Sequence, residues 1–166
     1  MDTTTQIITL LIIMAALIIS LSSQWIARRR GQQPLRPIRA YATLPGMINR
    51  TIESGRPLHL GLGSATIGGQ QTLLALAGTE FLYEAARQAA IGDSSPIFTV
   101  AEPSALPLAS DTLRRAYSAQ QRPQQFDATR ACWLPSGHHS LAYAAALSAM
   151  TREDRIGAHV MAGSFG

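Results

Sequence analysis

Residues 57–69 read PLHLGLGSATIGG. A short apolar run bounded by proline and glycine signals a strand over 57–62, and the glycines then turn the chain into a different pattern. Leu73, Leu74, Leu76, Ala77, Phe81, Leu82, Ala85 and Ala89 recur near helical spacing, which predicts a helix over about 69–91. The same unit repeats downstream. PIFTVA (96–101) predicts a second strand and residues 106–120 a helix; ATRACWL (128–134) predicts a third strand and residues 139–151 a helix; AHVMA (158–162) predicts a fourth strand. Alternating strands and helices, with strands that are apolar throughout, predict an α/β fold. Its sheet is mainly parallel, with at least four strands and helices on both faces, in a Rossmann-like three-layer domain.

Toward the N-terminus the character changes. Residues 45–54 suit a short helix, with Pro45 in its first turn and Gly55 as its cap. Residues 31–44, with Pro34 and Pro37, read as an extended linker. Ile7 to Ile26 holds no charged side chain, and Arg28, Arg29 and Arg30 follow directly. That pattern predicts an N-terminal transmembrane helix within residues 1–30, with the arginine flank and the bulk domain in the cytoplasm and the N-terminus outside. A cleaved leader is the competing reading, because the apolar core Ile7–Ile19 is short. Against it, Asp2 and the absence of Lys or Arg ahead of the core reverse the expected charge polarity. The partners expected from this segment are the lipid bilayer, anionic headgroups near Arg28, Arg29 and Arg30, and other proteins in the membrane.

Charge and composition exclude several classes. Five of the fourteen basic residues (Arg28, Arg29, Arg30, Arg36, Arg39) lie before residue 40, and from there on nine arginines balance nine acids. The domain carries no basic stripe interleaved with aromatics, so nucleic acid is not an expected partner. The chain has no lysine, which removes a P-loop lysine, a Schiff-base lysine and a Ser–Lys dyad. Cys132 is the single cysteine, so disulfide frameworks and cysteine zinc clusters are absent.

In a parallel sheet, ligands gather beyond the carboxyl ends of the strands. The first such end, Gly61, Gly63, Ser64, Thr66, Gly68 and Gly69, is the strongest candidate. Glycines admit close approach of backbone N–H groups to an anion, and the hydroxyls add donors. The spacing is two residues longer than the dinucleotide fingerprint, so a plain strand-to-helix turn is the alternative. Glu102 ends the second strand, where a ribose hydroxyl is held in dinucleotide folds; capping of the next helix is its alternative role. Ser136, Gly137 and His138 end the third strand, and Gly163 and Ser164 the fourth. Adjacent His138 and His139 point in different directions. His59 and His159 sit inside strands without carboxylates at ligand spacing, so no metal site is expected. No nucleophile, base and orienting partner assemble in the sequence, so neither a catalytic residue nor a cofactor is assigned.

The runs RPLHLGLGSATIGG, LLALAGTEFLYEAARQAA, PIFTVAEPSALPLASDTLRRAY and HVMAGSFG together resemble an uncharacterised bacterial and archaeal family of membrane-anchored proteins, catalogued only as a domain of unknown function. The resemblance implies an anchor followed by an α/β domain, and a chain that continues beyond GSFG, so the sequence reads as a truncated piece. It implies no activity. Two functions are expected: a binding, docking or scaffold component of a membrane assembly, or a nucleotide-dependent enzyme using the glycine loop.

Overall fold

The computed structural model describes residues 3–29, 39–135 and 140–165. The chain divides into two units, Met1–Arg39 and Ala40–Gly166.

The first unit holds one helix, α1 (Thr3–Arg29). The sequence predicts a transmembrane span here, and this is corrected. Among the described residues, no helix is long and apolar enough to cross a membrane. The physical reason lies in the length of the apolar core. Ile7–Ile19 rises about 20 Å at helical pitch, against about 30 Å of hydrocarbon. Ser20, Ser22, Ser23 and Gln24 then make the following turn polar.

The second unit contains α2 (Arg39–Glu53), β1 (Leu58–Leu62), α3 (Thr72–Ala89), β2 (Ile97–Val100), α4 (Leu106–Ala119), β3 (Ala131–Trp133), α5 (Ser140–Glu153) and β4 (Ala158–Ala162). All strands are parallel, in the order β3-β2-β1-β4. The fold is therefore α/β with a parallel four-stranded sheet.

Several boundaries differ from those the sequence predicts. α2 starts at Arg39, so Pro45 lies inside it rather than in its first turn. Leu44, Ile48 and Ile52 recur at i, i+4, i+8 and pack on the core, and this burial holds the turn upstream of the proline in helix. The expected linker over 31–44 thus ends early, and residues 30–38 lie outside the described ones. α3 starts at Thr72, not at residue 69. β3 is shorter than expected because the Asp127 carboxylate accepts from the Thr129 N–H and folds 128–130 into a 3-10 turn.

Alternation along β1 splits its side chains between two environments. Leu58, Leu60 and Leu62 join Phe98, Val100 and Val160 under α3 and α4, in one apolar cluster. The helices present small residues to it: Ala75, Gly78, Ala85, Ala86 and Ala89 from α3, and Ala109 and Ala116 from α4. A Cβ at Gly78 would come within 2.8 Å of the Leu62 side chain, so its absence sets how closely α3 approaches the sheet. The opposite parity, His59, Gly61, Thr99, His159 and Met161, faces the layer that holds α5, where Tyr143 meets Thr99 and Thr151 meets His159. One face of the sheet is apolar and doubly covered. The other is polar and carries a single helix.

Three glycine substitutions separate crowding from backbone conformation. A Cβ at Gly63 would lie 2.0 Å from the Ser164 carbonyl oxygen, so Gly63→Ala forces the exit of β4 to move and should cost roughly 1–3 kcal/mol or more. Gly68 has open space around it but φ +95°, so Gly68→Ala should lose roughly 1–3 kcal/mol through backbone strain alone. Gly46 is helical with nothing within 4 Å, so Gly46→Ala should gain about 0.5–1 kcal/mol. Urea denaturation of the three variants checks the order; equal effects at positions 63 and 46 would contradict it.

Candidate functional site

The strand order reverses between β1 and β4, the place where open α/β sheets form a ligand crevice. Here the crevice is closed by main chain. The Gly63 N–H donates to the Ala162 carbonyl at 3.0 Å. The Ser64 N–H and hydroxyl both donate to the Ser164 carbonyl, at 2.7 and 3.2 Å. Gly163 opposes Gly63 with φ +121°. The two glycines stand back to back, and the amides that an anion would use are bonded to carbonyls.

The rest of the glycine loop satisfies itself. Gly68 and Gly69 both donate their N–H to Thr72 Oγ1 at 3.0 Å, and the Thr72 hydroxyl donates to the Gly69 carbonyl at 2.7 Å. Thr72 therefore organises the entry to α3. The sequence offered a signal for it, a threonine three residues after a glycine pair and directly ahead of an apolar run. Ser104 Oγ accepts from the Ile67 N–H at 3.4 Å, so the exit of β2 reaches the loop. Thr66 is half-buried beside it, and Gly61 lies within β1. Glu102 is half-buried in extended backbone ahead of the 3-10 turn Pro103–Ala105, and its side chain makes no cap. Ser136, Gly137, His138 and His139 lie outside the described residues.

The chemistry that sequence reasoning missed lies on the polar face. β1 and β4 pair in register His59↔His159, and the two Nδ1 atoms are 3.0 Å apart. His159 Nε2 lies 3.0 Å from Thr151 Oγ1, and His59 Nε2 lies 2.9 Å from Thr99 Oγ1. Thr99 Oγ1 is in turn 3.4 Å from the Tyr143 hydroxyl.

The direction of every proton in this chain follows from one end. Thr151 donates its hydroxyl to the Leu147 carbonyl at 2.7 Å, so it can only accept from His159. His159 therefore carries its proton on Nε2, and its bare Nδ1 accepts from His59 Nδ1–H. His59 Nε2 is then bare and accepts from Thr99, which leaves Thr99 Oγ1 to accept from Tyr143. Each donor meets one acceptor as long as both imidazoles are neutral. Burial, and after it the neighbouring His159, lower the His59 pKa from 6.5 to about 4. Burial lowers His159 as well. It raises Tyr143, against the hydrogen bond with Thr99, and so keeps the phenol protonated. The Cys132 thiol, also raised by burial, donates to the Thr129 carbonyl.

A cavity of about 590 Å³ opens at the amino edge of the sheet, lined among others by Ser54, Arg56, Thr151, Asp154 and Arg155. Arg56 follows the end of α2 and Arg155 the end of α5, so both arginines answer the negative ends of helices. Thr151 belongs to this wall and to the histidine chain at once. Among the described residues no three His, Cys, Asp or Glu side chains gather as a metal cluster.

These features define an α/β protein with a closed glycine turn and a hydrogen-bonded histidine pair in which His59 is buried and His159 half-buried. The chain belongs to the family described as Domain of unknown function (DUF6754), whose model matches residues 1–166. No curated protein and no solved structure matches it.

Two measurements test the chain. Thr99→Val leaves His59 Nε2 without a donor and Tyr143 without an acceptor, and should cost roughly 1–3 kcal/mol in denaturant. A depressed histidine pKa means that the unfolded chain binds more protons than the folded one between about pH 4 and 6.5. The stability that His59 contributes is therefore complete above pH 6.5 and is lost as pH falls toward 4. At pH 5 unfolding should be about 2 kcal/mol easier than at pH 7.5; equal stabilities would contradict a neutral buried His59.

Proposed function

We propose that this protein is a docking component of a membrane assembly, held to that assembly through α1. The observation that carries the reading is the surface of α1. Every described side chain from Gln6 to Ser22 is exposed, and Ile7, Leu11, Met14 and Ile18 are each more than half accessible. A helix that is apolar all round needs apolar surroundings. The sequence adds Arg28, Arg29 and Arg30 at its end, which suits anionic headgroups. The α/β domain offers a second unpartnered apolar region, Ile67, Leu73, Leu74 and Leu76 at the start of α3. The nucleotide-dependent enzyme has weaker support, because the Gly63 and Ser64 amides are already bonded to carbonyls.

Vesicle flotation tests the proposal. The full-length protein should float with vesicles containing anionic lipid, and removal of residues 1–29 should abolish flotation. Each of Arg28, Arg29 and Arg30 changed to Gln should weaken the partition about fivefold at low salt. A full-length chain that stays monomeric and unattached in detergent-free buffer overturns the reading.

A further inference from the structure

α5 is a helix with little apolar grip on the sheet. Among its described side chains only Tyr143 is fully buried; Ala146, Leu147 and Met150 on the same face are half-buried, and Leu141, Ala144, Ala145, Ser148 and Ala149 are exposed. The hydrogen bonds that tie it to the strands are the two ends of the histidine chain. Tyr143 anchors its first turns through Thr99, and Thr151, about two turns further on, anchors its last through His159. Both anchors depend on the same imidazole pair, one on β1 and the other on β4. We propose that the His59–His159 pair is a proton-operated latch, which holds α5 on the sheet while both rings are neutral and releases it when the pair takes up a proton.

The donor and acceptor arithmetic supports this directly. With Nδ1 atoms 3.0 Å apart, a single proton fits between the rings. A proton added at His159 Nδ1 would set two N–H groups against each other. A proton added at His59 Nε2 obliges Thr99 to stop donating there and to turn its hydroxyl toward Tyr143. Tyr143, 5% exposed, then accepts where it had donated, and its own O–H loses its partner. The first route leaves the Thr151 bond in place and the second reverses the Tyr143 bond, but each leaves a charge or an unpaired donor between α5 and the sheet, which water relieves if α5 lifts away.

Few other groups face the pair. β1 and β4 contribute the imidazoles themselves and α5 contributes Tyr143 and Thr151. β2 contributes Thr99 and the apolar Ile97, and Cys132 of β3 lies beyond Thr99 in register. Asp154 and Arg155 stand past the end of α5, on the cavity that Thr151 also lines. Among the described residues neither imidazole forms an ion pair with a carboxylate, so no such pair compensates an imidazolium there. Release therefore tracks pH between about 6.5 and 4, with both histidines returning toward ordinary basicity once exposed.

Hydrogen exchange read by mass spectrometry on the full-length protein in neutral detergent tests the latch. Rates are taken from pH 7.5 to pH 5 in low urea and corrected for the chemical exchange rate. The opening ratio of α5 amides should rise about tenfold per pH unit for each proton taken up. That opening should be insensitive to urea, while α3 and α4 amides exchange only through a rarer, urea-sensitive opening. Thr151→Val removes one anchor without touching a histidine, and should raise α5 opening at pH 7.5 by roughly twofold to tenfold. A flat α5 opening ratio across the pH range overturns the latch. So does a single opening, with one urea dependence, shared by α5, α3 and α4 at every pH. An α5 opening ratio unmoved by Thr151→Val would falsify it as well.

Discussion

The structure depends on the burial of β1. It is a central strand with β2 on one edge and β4 on the other, and all five of its residues are buried. Every side chain it carries must therefore find a partner of its own kind. Leu58, Leu60 and Leu62 do so in the apolar layer under α3 and α4, where full burial stabilises each by about 1.5–3 kcal/mol. His59 points the other way and finds its partners in Thr99 and His159. A slip of one residue would place the histidine among leucines and the leucines against Thr99 and His159, so the two faces together pin the strand's position.

The same reasoning explains why β4 sits where it does. Parallel pairing alone tolerates several registers. Only the register that sets His59 opposite His159 lets one imidazole donate to the other, and only then do Thr151 and Tyr143 complete the chain. A polar network buried in a domain is favourable when all its members are satisfied and costly when one is not. Here it reinforces the register and ties the thinly packed α5 to the sheet, and it makes that attachment sensitive to protonation.

At the carboxyl edge, the glycine-rich turn shows how similar sequences can serve different ends. Gly63 and Gly163 lack side chains so that two segments of main chain can touch, and the Gly63 and Ser64 amides each meet a carbonyl. In a phosphate-binding turn the same absence of side chains leaves the amides free for an anion. Composition cannot separate these cases, because the difference lies in what stands opposite the loop. For Gly63 that is the chain leaving β4, about a hundred residues further on.

Local pattern alone determined the succession of strands and helices, the parallel α/β class and the glycine turn between β1 and α3. The physical reason is that period, turn residues and apolar runs act over a few residues. It misjudged α1, where an uncharged run outlasted its apolar core, and α2, where burial of Leu44 carried the helix upstream of Pro45. The histidine pair was visible only as two separate residues, each second in its strand. Their meeting required that β4 lie beside β1 rather than beside β3, and that the register bring equal positions together. The proton directions followed only once Thr151, Thr99 and Tyr143 had been placed around the rings. Those are decisions of tertiary structure, because a hydrogen bond is made by atoms that meet in space, and sequence separation says nothing about which of them will.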